Sequence, residues 1–355
     1  MDSDRRKKIA VWGLTENSLA LATNLARRWE GERPPVVFGP KRLAGPWKES
    51  QPFTGFDRLS SAVSEHFSAF DGHLFIMATG IVVRMIAPMI RNKTVDPGVL
   101  VMDEKGRYII SLLSGHIGGA NRLCRTIARL TGAAPVITTA TDVNEKPAID
   151  EIAAERGLLI DNPGAIKDVN MAVLRDEVIR VADPHHILDD VTARSPFQQT
   201  DGRAQCDVYV GEVTDNISSG ALILRPPVLV VGIGCNRGTA AAHIREHLTG
   251  VFEAHHLSVK SISRIATIDI KKDETGIVDL AGQYNLPLVF YSKEALNRVE
   301  DQITPSLMAE KYTGAKNVCE AAAILASNNG HLIIPKTKTR EATLAVARQP
   351  MPSMW

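Results

Sequence analysis

The residue types best suited to chemistry fall in one stretch, Ser111-Leu112-Leu113-Ser114-Gly115-His116-Ile117-Gly118-Gly119-Ala120-Asn121. Gly115, Gly118 and Gly119 lie within five residues, so backbone N–H groups can come close to a ligand. A helix opening where the glycines end adds the positive end of its dipole, and the loop suits an anion or a developing oxyanion. His116 and Ser114 are the titratable and hydroxyl groups inside that cradle. The plainer alternative is that Gly-Gly only permits tight helix–sheet packing, with His116 an ordinary hydrogen-bonded loop residue.

The elements that must position this loop are legible on both sides of it. Gly98 to Asp103 and Arg107 to Leu112 read as strands joined by the turn Glu104-Lys105-Gly106. Asn121 to Leu130 reads as a helix with Leu123, Ile127 and Leu130 on one face, ended by Gly132. Upstream, strands are expected at Ile9 to Trp12, Val36 to Phe38 and Leu74 to Met77. Helices are expected from Asn17 to Arg28, capped by Thr15, and from Leu59 to Phe70, with a loop from Gly39 to Gln51. The strand at Leu74 ends at Ala78-Thr79-Gly80, and loops after the carboxyl ends of strands are where open α/β sheets bind ligands. Arg84 is the single charge in the apolar helix that follows, either solvated or aimed at a carboxylate or phosphate. The turn Arg91 to Pro97, with Lys93 and Asp96, reads as a solvated loop on charge alone. Ala134 to Asn144 gives a further strand that ends in Thr138, Thr139, Thr141, Asp142 and Asn144, more hydrogen-bonding equipment than a turn needs.

The stretch from Ile149 to Arg225 says less. Helices are expected from Asp150 to Leu158 and from Asp161-Asn162-Pro163 onward, with Asp183 to His186 and Thr192 to Gln205 as surface loops. The pairs His185-His186 and His255-His256 read as solvated rather than metal-bound, having no partner at ligand spacing. Arg225-Pro226-Pro227 marks a boundary, after which a buried strand from Val228 to Cys235 enters a second glycine turn, Asn236 to Thr239, and a helix from Ala240 to Leu248. That turn offers Arg237 and helix-start amides to an anion, while Cys235 reads as a structural thiol. Strands at Ile265 to Ile270, Leu288 to Tyr291 and His331 to Ile334 alternate with helices at Thr275 to Tyr284, Lys293 to Val299 and Val318 to Ser327. The fold class is therefore α/β: N-terminal and C-terminal α/β domains with largely parallel sheets, at residues 1–145 and 226–355, joined by a smaller middle segment at 146–225.

Composition narrows the function classes. The 355 residues leave room for two or three cores, and 41 basic against 40 acidic residues give a net charge of +1, so no global field argues for nucleic acid or membrane. The four cysteines, 124, 206, 235 and 319, form no C-x-x-C pair, which argues against a structural zinc site and a disulfide framework and fits a cytoplasmic setting. The basic start Arg5-Arg6-Lys7-Lys8 precedes too short an apolar run for a signal peptide, and the apolar region from Leu74 to Ile90 is broken by Arg84 and Pro88.

Five blocks in order, Phe75 to Arg84, Lys93, Asp96-Pro97, Ser114 to Asn121, and Val136 to Asp142, resemble the cobalt-precorrin-5A hydrolase family of cobalamin biosynthesis. Gly232 to Thr239, Glu320-Ala321-Ala322, Pro335 to Lys338 and Thr343 to Arg348 resemble that family's C-terminal domain, except that Asn236 stands where most members carry Arg. The resemblance implies opening of the ring A δ-lactone of cobalt-precorrin-5A with loss of acetaldehyde, giving cobalt-precorrin-5B. It implies no organic cofactor and no resident metal, because water is the reactant and the cobalt arrives inside the substrate. His116 is then the general-base candidate, its ordinary pKa of about 6.5 lying near working pH, and Ser114 a lesser nucleophile candidate. Thr79, Gly80, Arg84, Lys93, Asp96, Gly115, Gly118, Gly119, Asn121, Thr138, Thr139, Asp142, Gly234, Arg237, Thr239, Glu320 and Lys336 are the expected substrate contacts, with the cations on the macrocycle's carboxylates. A cobalt-corrinoid substrate is the expected partner, with no nucleic acid or membrane; a homodimer and neighbouring enzymes of the pathway are left open. An escort protein that holds a corrinoid without changing it would use the same loops.

Overall fold

A computed structural model describes residues 8–31, 33–44, 53–93, 95–328 and 330–350. The basic start at Arg5-Arg6-Lys7 and residues 45–51 of the expected Gly39 to Gln51 loop lie outside them. By internal contacts the chain forms two compact units, residues 1–154 with 170–175, and residues 155–169 with 176–355.

The first unit is built on β1 (Ile9–Gly13), β2 (Val36–Pro40), β3 (Thr54–Phe56), β4 (Gly72–Ile76), β5 (Gly98–Met102), β6 (Tyr108–Leu113) and β7 (Ala134–Val136), in the order β3-β2-β1-β4-β5-β6-β7. From β3 through β5 the pairings are parallel; β5 and β6 are antiparallel, and β6 and β7 parallel. Between them run α1 (Glu16–Arg27), α2 (Leu59–His66), α3 (Thr79–Ile86) and α4 (Ala120–Thr131). β1, β4 and β5 are buried along their whole length, as largely apolar strands are when helices cover both faces of a parallel sheet, and His73 inside β4 is satisfied by the Trp12 Nε1–H at 3.1 Å. On one face Val11, Leu74, Leu100 and Met102 pack with Leu19 and Leu25 of α1 and Cys124 and Ile127 of α4. On the other, Trp12, Phe75 and Val101 pack with Val63 of α2 and Val82 and Ile86 of α3. Thr15 caps α1 through a reciprocal pair with Ser18, as its position before the apolar run implies.

Strand direction decides where the loops go. Ile76 at the end of β4 pairs with Met102, which pairs with Ile109 near the start of β6, whereas Leu113 at the end of β6 pairs with Val99. The Ser114 loop therefore lies where β4 and β5 begin, and Thr79, just past Ile76, lies where they finish. The loop closes tightly on β5: a Cβ at Gly98 would stand 2.9 Å from the Gly118 carbonyl oxygen. After β7 come α5 (Ala140–Val143), α6 (Ile149–Glu155) and α7 (Ile166–Leu174), the last supplying Asn170 to this unit.

The second unit carries two five-stranded sheets. In one, β8 (Leu159–Ile160), β9 (Ile179–Ala182), β10 (Phe197–Gln199), β11 (Val208–Val210) and β12 (Leu222–Arg225) take the order β10-β9-β11-β12-β8, parallel except at β8. In the other, β13 (Leu229–Cys235), β14 (Ile262–Ile268), β15 (Leu288–Tyr291), β16 (His331–Lys338) and β17 (Ala342–Arg348) take the order β15-β14-β13-β17-β16. β13, β14 and β15 are parallel, and β17 runs antiparallel to both neighbours. α8 (Ala241–Ala254) follows β13, and α9 (Cys319–Ala326) crosses it at Gly232, where a Cβ would meet the Cys319 carbonyl oxygen at 1.8 Å.

Several sequence expectations are corrected here. Thr79 and Gly80 are the first residues of α3 rather than a loop, and Ile81 and Val83 of that helix are 44% and 46% exposed, so Arg84 does not sit on an otherwise buried element. Gly39 and Pro40 belong to β2, and β3 follows where no strand was expected. The Thr192 to Gln205 stretch is not all surface loop, because it holds β10 and the buried Phe197. His185 is not solvated: its Nε2 lies 2.5 Å from Oε2 of the buried Glu212, which also accepts from Arg348.

Candidate active site

Three elements of the first unit bring ionisable groups onto one imidazole. β6 delivers the loop that carries His116, α5 carries Thr141 and Asp142, and the first turn of α6 carries Asp150 and Glu151. His116 Nε2 lies 3.2 Å from Asp142 Oδ2 and 3.1 Å from Thr141 Oγ1, and Nδ1 lies 3.3 Å from Asp150 Oδ2. The two carboxylates are nearly enclosed, with side chains 7% and 5% exposed, and the imidazole is 15% exposed.

Each aspartate has supporting partners. Asp142 accepts from Asn121 Nδ2 at 2.9 Å, and from Thr139 Oγ1 and Arg125 Nη2. Asp150 accepts from Asn170 Nδ2 at 3.0 Å. Burial by itself would push both carboxyls up, but these hydrogen bonds and the imidazole more than offset it and hold both below the ordinary carboxylate value. The hydrogen bond to Asp150 is the largest influence on His116; against burial, and with Asp142 and Glu151 adding to it, it raises the ring to about 9. At neutral pH His116 is an imidazolium with both N–H groups committed to carboxylates.

This corrects the premise of a base with an ordinary pKa near 6.5. A general base needs a free lone pair, and the resting ring has none to offer. The charged ring is instead equipped to stabilise an oxyanion and to give up a proton. Of the expected amide cradle, the Gly119 N–H is taken by the His116 carbonyl at 2.8 Å, and just beyond it the N–H groups of Ala120 and Asn121 donate to the carbonyls of Ser114 and Gly115 at 3.1 and 2.9 Å. The glycines serve close packing, since a Cβ at Gly115 would stand 2.8 Å from Asn121 Oδ1 and one at Gly118 2.4 Å from Ser114 Cβ. Ser114 itself takes a left-handed φ of 56°, and its buried Oγ meets no hydrogen-bond partner among the described residues, so no imidazole activates it.

The other expected contacts divide. Asn121 is fully buried and brackets the site from within, with Oδ1 accepting from Ser111 Oγ at 2.7 Å and Nδ2 donating to Thr139 and Asp142. Thr138 is exposed, past the end of β7. Lys93 is exposed in the segment that precedes β5, on the His116 end of the sheet. Asp96 lies in the same segment but is buried and accepts the Arg91 N–H with both oxygens, at 3.0 and 3.1 Å, which makes it a turn-former rather than a substrate contact. Thr79 and Gly80 are at the opposite end, and Arg84 donates to the Gly80 carbonyl at 3.0 Å.

In the second unit Gly234 lies inside β13 against Thr343, and Thr239 is buried and donates to the Asn236 carbonyl at 2.9 Å. Arg237 is exposed and paired with Asp273 at 2.8 Å. Glu320, 1% exposed, accepts the backbone N–H groups of Thr304 and Lys336 at 2.6 and 2.8 Å and Asn317 Nδ2 at 3.0 Å, so it is corrected from a substrate contact to a structural acceptor. The half-buried Lys336 side chain remains a candidate for a carboxylate. Sequence reasoning missed Arg125, Asp150, Glu151 and Asn170. An acidic pair in a helix's first turn reads as ordinary dipole compensation, and nothing local marks its approach to a histidine 34 positions earlier.

Donor atoms of His116, Asp142 and Glu151 lie within 4.8 Å of one another, a spacing that could suit a divalent cation. Arg125, bonded to Asp142 and 3.9 Å from Glu151, already places a positive charge there, and both ring nitrogens face carboxylates. In this structure the cluster is joined as an ion-pair network.

Residues 61–142 match the family defined as "Cobalamin synthesis G N-terminal" and residues 229–347 the one defined as "Cobalamin synthesis G C-terminus". A cobalt-precorrin-5A hydrolase of Priestia megaterium is 34% identical over 98% of this chain and 96% of its own length. The chain belongs to the cobalt-precorrin-5A hydrolase family. A second such hydrolase, from Salmonella typhimurium, is 31% identical over 98% of this chain and 99% of its own. Among solved structures, a cobalamin biosynthesis protein G homologue from Sulfolobus solfataricus aligns over 97% of both chains at 23% identity with a TM-score of 0.40. Within this hydrolase family assignment, His116 and Asp142 lie inside the N-terminal match, whereas Asp150 and Asn170 lie outside both matches.

Proposed function

We propose that this chain opens the ring A δ-lactone of cobalt-precorrin-5A and releases acetaldehyde, giving cobalt-precorrin-5B. The observation that carries this reading is identity over nearly the whole length to two proteins named as cobalt-precorrin-5A hydrolases. The site chemistry is compatible with it. Lactone opening by water develops negative charge on oxygen and requires a proton to be delivered, and His116, kept protonated by Asp150 and Asp142, can do both. Lys93 is the cation of the first unit that we assign to a peripheral carboxylate of the substrate, with the exposed Thr138 as a polar contact. No organic cofactor or resident metal enters this reading, because the cobalt belongs to the substrate. Among the described residues no helix is long and apolar enough to cross a membrane, and all four cysteines are free, in keeping with our assignment to the cytoplasm.

The test is direct: purified protein is mixed with the lactone intermediate and acetaldehyde is assayed. Stoichiometric release supports the reading. Tight corrinoid binding without acetaldehyde would assign the chain to escort instead.

A further inference from the structure

The two carboxylates on His116 are anchored differently. Asp150 is 4% exposed; its Oδ2 faces Nδ1, its Oδ1 accepts from Asn170 Nδ2 at 3.0 Å, and Asn170 Oδ1 in turn accepts the backbone N–H of Ile149 at 3.0 Å. Asn170 thus clamps both the carboxylate and the first turn of the helix that carries it, and its supporting contacts are neutral. Asp142, facing Nε2, is also held by a buried amide, that of Asn121, and by Thr139, but it carries in addition Arg125, whose side chain is 51% exposed. The charged and polar groups around the ring are then Arg125 from α4, Thr141 and Asp142 from α5, and Asp150 and Glu151 from α6. A buried carboxylate locked by an amide stays in place whatever happens at the far nitrogen. Asp142 has an amide lock too, but its Arg125 partner keeps its charge balanced when Nε2 gives up its proton, whereas Asp150 has only the imidazole as a charged partner.

Resting on the hydrolase reading above, we infer that Asp150, fixed by Asn170, is the positioning residue of His116: it keeps the Nδ1 proton and the ring plane, and leaves Nε2 as the nitrogen that moves its proton from Asp142 to a substrate oxygen. In this step the Nε2–H bond breaks, the oxygen gains the proton, and the ring becomes the neutral Nδ1–H tautomer with Asp150 still accepting. Asp150 does not touch substrate. Second partners of this kind orient a working imidazole and select its tautomer.

The experiment follows His116 by ¹⁵N NMR of its ring in the full-length protein, together with the pH dependence of acetaldehyde release. Asp150→Asn is expected to lower the His116 titration by at least about one pH unit, move the pH–rate profile with it, and reduce kcat by roughly 10²-fold with little change in KM. Asp150→Glu should recover part of kcat, which a purely structural role would not give. Asn170→Ala removes the clamp without removing a charge and should shift the titration in the same direction by less; it also serves if Asp150→Asn does not fold. A folded variant at either position with wild-type His116 titration and pH profile overturns the inference. If the wild-type protein releases no acetaldehyde, the NMR arm still decides the positioning role, so failure of the reaction reading and failure of this inference are distinguished.

Discussion

Thr79 and His116 lie at opposite ends of the same seven-stranded sheet. Both belong to blocks that sequence resemblance gathers into one substrate surface, yet β4 delivers Thr79 at its carboxyl end, and the reversal at β6 returns the chain so that His116 emerges where β4 begins. The polar groups that share the histidine's end are those of the segment before β5 and the segment after β7, with Lys93, Thr138, Thr139 and Asp142. The ionisable cluster of this unit accordingly lies at the end marked by the antiparallel turn of the chain, away from the carboxyl ends of β1, β4 and β5.

Removing the imidazole is expected to abolish turnover while sparing binding. His116→Ala should slow acetaldehyde release by roughly 10²–10⁴-fold, with corrinoid affinity by absorbance titration near that of the wild type. Because the ring is held at about 9, its protonated form persists through neutrality, and activity should fall only as pH rises through that value. A rate that instead climbs through the ordinary imidazole range would mean that a neutral base is at work. The same shift carries a stability signature: the contribution of the pair is complete below the ordinary imidazole value and is lost as pH rises toward about 9.

Ser114 is expected to be dispensable as a nucleophile. Its Oγ has no hydrogen-bond partner among the described residues, and its φ of 56° is one that glycine adopts without strain. Ser114→Gly should keep most of the wild-type kcat, and quenched turnover mixtures should contain no covalent acyl-enzyme by intact-mass measurement. A mass increment on the wild type that disappears in the variant would restore the serine to the mechanism.

Arg237 is already paired on the surface with Asp273, which tests whether it serves the substrate. If it grips a carboxylate, Arg237→Ala should raise KM by roughly two- to fivefold, the scale of an exposed ion pair, with kcat unchanged. Asp273→Ala should lower KM, because it frees the guanidinium. Equal KM values for all three proteins in steady-state assays would leave Arg237 with a purely local role.

Glu212 joins the middle sheet's β11–β12 connection to Arg348 at the end of β17 and accepts from His185. Burial would push its carboxyl up, but His185 and Arg348 more than offset this and hold it at about 2. Its folded-state pKa lies below the ordinary 4.5, so its stabilising contribution is present above that value and disappears as pH falls toward about 2. Glu212→Gln should cost about 3 kcal/mol near neutral pH, read as a lowered urea midpoint for the second unit. The gap from wild type should narrow on acidification through this window.

Local pattern alone determined most of the elements. The apolar runs of β1, β4 and β5 read as strands, the Thr15 cap and the Gly132 stop bounded their helices, and the glycine loop with His116 was marked as the place for chemistry. These signals are short-range, arising from side-chain periodicity and φ preferences within a turn or two. The tertiary structure decided what His116 is. Asp142, Asp150 and Asn170 lie 26, 34 and 54 positions further along, and only the order and direction of β5, β6 and β7 bring the carboxylates onto its two nitrogens. A pKa is a property of converging charges and lost solvent, and no spacing in the sequence encodes either. Asp96, Asn121 and Glu320 show the same limit from the other side: each has the chemistry of a substrate contact, and each is spent on buried hydrogen bonds of the protein itself.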